Sequence, residues 1–140
     1  MTKMKFLAAA ACLAVTFSAC KKKDKESDNY KAAIVGKWTY VEATASAGGQ
    51  TTPTESFTNG EYERFTASDT VYSGNKNTTV ETSYSFYKID GSTLVLADDK
   101  AFSKEVETYH IEALDGAELR FSSEEETAGV KIKYTIKLKK

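Results

Sequence analysis

From Val130 to Lys139 the chain alternates without a break. Val130, Ile132, Tyr134, Ile136 and Leu138 are apolar, while Lys131, Lys133, Thr135, Lys137 and Lys139 are polar. A period of two belongs to a β-strand with one face in a core and the other in water. No comparable stripe at helical spacing occurs after residue 34, and Pro53 is the only proline. Turn dipeptides divide the rest. Asn59-Gly60, Asp90-Gly91 and Asp115-Gly116 tolerate the positive φ angles of tight hairpins. Looser turns are expected at Ser73 to Asn77, Asp98 to Ser103 and Glu124 to Gly129. Strands are then expected near 34–45, 55–58, 61–73, 79–89, 92–98, 105–114, 117–123 and 130–138. The pattern also admits a short helical turn across Asn29 to Ile34.

Eight strands in hairpin succession leave two open edges unless the sheet closes, and closure removes an aggregation hazard. The expected fold class is therefore all-β, an eight-stranded antiparallel up-and-down barrel. Two hairpins read as copies of one unit. Tyr84, Phe86, Ile89, Asp90, Gly91, Leu94 and Leu96 recur 25 residues later as Tyr109, Ile111, Leu114, Asp115, Gly116, Leu119 and Phe121. The apolar position slips by one before each turn, which predicts a bulge there.

The N-terminus carries an address. Basic Lys3 and Lys5 precede an apolar run from Phe6 to Phe17, followed by small residues, as in a secretory signal peptide. That run is 12 residues long, short of the roughly 20 needed to span a bilayer. It ends in Phe17-Ser18-Ala19-Cys20, which resembles the lipobox of bacterial lipoproteins, with Phe17 in place of the usual leucine. The resemblance implies a signal peptide over 1–19 and lipid attachment at Cys20, which would carry acyl chains such as palmitate. Residues 20–29 contain no apolar side chain after the cysteine, so they read as a lipidated flexible tether. The folded domain is expected over 30–140. Lys21 stands where many inner-membrane lipoproteins have aspartate, which by resemblance implies an outer-membrane location, on its periplasmic or surface-exposed face.

Processing at Cys20 leaves 121 residues, enough for one domain with its own core. Cys12 would be lost and Cys20 blocked, so neither disulfide nor thiolate chemistry is expected. Beyond the tether, 13 basic residues face 17 acidic ones. A mildly acidic domain without a basic stripe is a poor nucleic-acid binder, and no nucleic-acid partner is expected.

The first strand carries a second resemblance. Ile34-Val35-Gly36-Lys37-Trp38-Thr39-Tyr40-Val41 is similar to the Gly-x-Trp opening of lipocalins and of lipocalin-like domains in Bacteroidetes lipoproteins. It implies a barrel whose closed end is plugged by Trp38, with Gly36 allowing close approach, and a long first loop over the open mouth. Thr44 to Glu55 is the candidate for that loop. The family also places an arginine across the tryptophan from the last strand. Here Lys137 could supply only a point charge.

Catalysis is hard to assemble from this inventory. His110 is the lone histidine and alternates with Tyr109 and Ile111, so it should face outward. No metal-ligand spacing or phosphate loop occurs, and neither cofactor nor metal nor enzymatic activity is expected. Asp69-Thr70-Val71 matches a Bacteroidetes O-glycosylation pattern at Thr70. Tyrosine carries the remaining interest. Tyr40, Tyr84, Tyr109 and Tyr134 share the apolar parity of their strands and are the candidate ligand-binding residues. Inside a barrel, such side chains suit a cavity for a small apolar or amphipathic ligand. They suit equally a filled core whose hydroxyls bond one another, and then a protein partner, as for inhibitor-type periplasmic lipoproteins.

Overall fold

The computed structural model describes residues 23–78 and 80–140. The expected signal peptide, Cys20 and the first residues after it lie outside the described residues. A helix, α1 (Lys23–Ile34), leads into nine strands: β1 (Gly36–Ala47), β2 (Gln50–Glu55), β3 (Tyr62–Phe65), β4 (Thr70–Gly74), β5 (Ser83–Asp90), β6 (Thr93–Ala97), β7 (Glu107–Leu114), β8 (Glu118–Thr127) and β9 (Val130–Lys139). The helical turn expected from Asn29 is thus the end of a longer helix. Its Lys-Asp-Lys-Glu start contains good helix formers and no glycine or proline.

From β3 to β9 each strand pairs antiparallel with the next, and β9 returns to β1 from Thr39↔Lys139 to Ser46↔Lys133. The sheet closes into a barrel. Nine strands make eight staves because β2 and β3 occupy the same side of β1. Gly36 to Thr39 pair with β3, and Ala43 to Ala47 pair with β2. The second stave is therefore broken, with residues 56–61 bridging its two halves.

Several boundaries differ from expectation, each for a local reason. The polar stretch from Thr44 to Glu55 is no loop; it extends β1 and returns as β2 around Gly48 and Gly49, whose φ angles are 56° and 80°. Residues 55–58 are not a separate strand. The expected strand 61–73 is two, turned at Thr66 to Asp69 without a glycine. Thr66 Oγ1 accepts from the Thr70 N–H at 3.2 Å, and Asp69 takes a φ of 63°, which aspartate tolerates. β8 runs on to Thr127, and only Ala128-Gly129 make the turn. The bulge expected in the repeated hairpins is present in β7, between Ile111 and Ala113, and missing from β5, which stays in register.

The closed end is built by three pieces of sequence meeting. Trp38 is fully buried, and its indole N–H donates to the Ile34 carbonyl at 2.6 Å. Lys140 places its ammonium 4.7 Å from the Trp38 ring centroid and donates to the Ala33 carbonyl at 3.3 Å. Both carbonyls belong to the last turn of α1, where a helix has no backbone donors left. A cation also complements the negative end of the helix dipole. Lys140, not Lys137, thus stands across the tryptophan; Lys137 lies outside, 3.4 Å from Glu118. Gly36 adopts a φ of 135°, and a Cβ there would sit 3.0 Å from Lys140 Cε. Glycine is required on both counts. Above this plug, Phe65, Val71, Tyr87, Leu94, Leu119 and Leu138 pack the lower barrel and are essentially inaccessible to water.

Candidate functional site

Moving from the Trp38 end toward the opposite mouth, inward-facing positions change character. On β9, Leu138 and Ile136 are buried, whereas Tyr134 and Ile132 are half-exposed. On β8, Leu119 and Phe121 are buried, whereas Ser123 and Glu125 are half-exposed. β3 and β4 repeat the gradient, from buried Phe65 and Val71 to half-buried Glu63 and Ser73. The lower barrel is filled; the upper barrel is a cup whose walls water can reach.

Tyrosine–carboxylate pairs line this cup. The Tyr40 hydroxyl donates to Glu63 Oε1 at 2.9 Å, Tyr109 to Glu107 Oε2 at 2.8 Å and Tyr134 to Glu125 Oε1 at 2.7 Å. Ser73 Oγ also donates to Glu63, lying 3.0 Å from each carboxylate oxygen. Cross-strand register explains the convergence: Trp38 faces Glu63, Glu63 faces Ser73, and Leu96 faces Glu107. Phe57, carried in by the break between β2 and β3, stacks on Tyr40 with centroids 4.8 Å apart. Tyr109 meets Phe121 edge-on at 5.0 Å and joins the cup to the core below.

Burial sets the electrostatics. Desolvation raises Glu63 to about 7, although the hydrogen bonds from Tyr40 and Ser73 pull the other way. Glu107 is raised for the same first reason, against its bond from Tyr109. The hydroxyls of Tyr40 and Tyr109 are pushed up, first by burial and then by the neighbouring carboxylates. Positive charge is segregated to the outside. Lys37, Arg64, Lys88, Arg120 and the alternate lysines of β9 hold all the lysine and arginine charge of the described strands, on the outward parity. Arg64 pairs with Glu81 through two bonds of 2.7 and 2.6 Å, and Lys133 pairs with Glu112.

Three of the four expected tyrosines thus face the cup. Tyr84 does not: without a bulge in β5, its parity points outward and it is 58% exposed, while Tyr87 takes the inward place. On the outer surface Tyr84 lies between Phe86, 5.9 Å away, and Tyr72, 6.1 Å away, with Arg64 over the Tyr72 ring. Thr70 opens β4 on the outer side, its hydroxyl 3.4 Å from the Ser68 carbonyl. His110 faces outward, beside an open surface groove of about 350 Å³. Among the described residues no three His, Cys, Asp or Glu side chains are grouped to hold a metal ion.

Sequence reasoning found the tyrosines and missed their partners. Glu107 and Glu125 sit on the inward parity in segments read as loop or strand margin, and Glu63 lay within an undivided strand. The available clue was that an inward tyrosine hydroxyl needs an acceptor two residues along or across the ladder.

No protein-family model and no curated protein matches the sequence. Among solved structures, the chain is similar to a lipocalin-like protein from Bacteroides uniformis ATCC 8492. The identity is 18%, the TM-score is 0.45, and the match covers 73% of this chain and 96% of that one.

Proposed function

We propose that this chain is a lipocalin-like lipoprotein, held in the cell envelope by acyl chains on Cys20, that binds a small amphipathic molecule in the upper barrel. The observation that carries the reading is the change from a sealed apolar floor at Trp38 to water-accessible tyrosines and carboxylates above it. Ligand pockets combine apolar lining with a few placed polar groups, and this cup has both. No nucleophile–base pair is placed within it, so the reading is binding without catalysis.

The environment-sensitive probe N-phenyl-1-naphthylamine is expected to bind the full chain with a Kd of about 1 μM, near −8 kcal/mol. Tyr40→Ala and Tyr109→Ala should shift that Kd severalfold, whereas Tyr84→Ala and Lys131→Ala should not. Equal effects from the inward and outward sets would place the probe elsewhere. For the anchor, wild-type protein is expected to incorporate labelled palmitate and sediment with membranes. Cys20→Ala should do neither, because each buried methylene contributes about 0.8 kcal/mol and the variant has no acyl chain. Membrane association that survives Cys20→Ala would sink the anchoring reading.

One observation favours a protein-binding alternative. Tyr72, Tyr84 and Phe86 form an outward aromatic group beside the Arg64–Glu81 pair, and Val80 nearby is 73% exposed. Exposed aromatics of this kind suit a protein partner. Under that reading Tyr84→Ala would weaken capture of the partner and leave probe binding untouched.

A further inference from the structure

The charge inside the cup is one-sided. Glu63, Glu107 and Glu125 point inward, each receiving a hydroxyl from one tyrosine, while the strand lysines and arginines all lie on the other parity. Outside the barrel the opposite practice holds, since Glu81, Glu112 and Glu118 each meet a lysine or arginine. A half-buried carboxylate without a counter-charge is costly, and a hydroxyl donor offsets only part of that cost. The cup therefore lacks a cation where its walls would be most stabilised by one. It also has room for an apolar tail, since Phe57, Tyr40 and Leu96 border the carboxylates and lead down to the buried core.

From this arrangement we infer that the ligand is an amphipathic cation: an ammonium group held by the inward carboxylates, chiefly Glu63, with an apolar chain directed toward the floor. The inference rests on the ligand-binding reading above and narrows it to one chemical class. Tyr40, Tyr109 and Phe57 add aromatic faces that attract an ammonium group, an effect of about 0.5–2 kcal/mol per favourable ring. An anionic amphiphile, such as a fatty acid, would meet like charge and be rejected. The groups that face Glu63 are Tyr40 on β1, Glu55 at the end of β2, Ser73 on β4, and Tyr109 with Glu107 on β7. None brings positive charge. Because Glu63 titrates at about 7, loss of its proton strengthens the site, and affinity for the cation should rise between pH 6 and pH 8.

Three probes of one chain length separate the outcomes: octylammonium, octanol and octanoate, titrated into the full chain by calorimetry at pH 8. Octylammonium is expected to bind at least tenfold more tightly than octanol, and octanoate more weakly than either. Glu63→Gln should remove most of the octylammonium advantage and leave octanol unchanged, and Glu107→Gln should reduce it by a smaller factor. Thermal melts of both variants establish that they are folded. Equal binding of octylammonium and octanol, or an advantage that survives both substitutions, overturns the cation inference while the cup remains a ligand site. Failure of all three probes to bind overturns the ligand-binding reading itself.

Discussion

Replacing Trp38 with alanine is expected to destabilise the barrel by about 3–5 kcal/mol, the usual cost of removing a large aromatic from a core. The side chain is fully buried, and its indole N–H holds the Ile34 carbonyl at 2.6 Å. The substitution therefore removes three things together: packed volume, the donor that caps α1 and the ring beneath Lys140. Against a typical domain stability of about 5–15 kcal/mol, this is a large fraction. With a urea dependence of about 1–3 kcal/mol per molar, the midpoint should fall by roughly 2 M. Trp38→Phe keeps most of the packing but loses the donor, so it should fall between the two. A midpoint that barely moves in Trp38→Ala would mean that the floor is not built around this residue.

The second large effect is a pH dependence centred on Glu63. Its carboxyl is raised from 4.5 to about 7, so the folded state holds a proton more tightly than the unfolded chain does. An acid shifted in this direction stabilises the fold fully below pH 4.5. That contribution is lost progressively as pH rises from 4.5 to about 7, and stays lost above it. At about 1.4 kcal/mol per pH unit, the window corresponds to something on the order of 3 kcal/mol. Glu63→Gln preserves the shape and an acceptor for Tyr40 and Ser73 but cannot ionise. The variant should match wild type near pH 4.5 and exceed it by about 2–3 kcal/mol near pH 8 in urea melts. Using the difference between the two proteins cancels the other carboxylates. Parallel stability profiles across that range would contradict the burial of this group.

How far the sequence revealed these features depends on the kind of signal each residue leaves. β9 was legible because its alternation runs unbroken, and an eight-stave closed meander follows from strand count and edge protection. Asp90-Gly91 marked its turn because Gly91 takes a φ of 57°. The turn at Thr66 to Asp69 left no such mark: it is held by a threonine hydroxyl and one strained aspartate, which also occur within strands. The break in the second stave was invisible because β2 and β3 are joined only through the register of β1, a long-range fact. Tyr84 was misassigned because two hairpins with similar spelling differ by one bulge, and one residue of register reverses every side chain. The cup's tyrosines were visible by parity. Its carboxylates were not, since glutamate at a strand margin usually lies in water. Lys140 was hidden because its role depends on where α1 ends.

The central claim is that the upper barrel is an open, polar-walled cup above a filled floor. Its most direct test is titration of N-phenyl-1-naphthylamine into wild-type protein and into Ser73→Trp, whose indole would occupy the space beside Glu63. Wild type should show saturable one-to-one enhancement, and the folded Ser73→Trp variant should show none. Equal saturable binding by both proteins, or no saturable binding by wild type, would contradict the account.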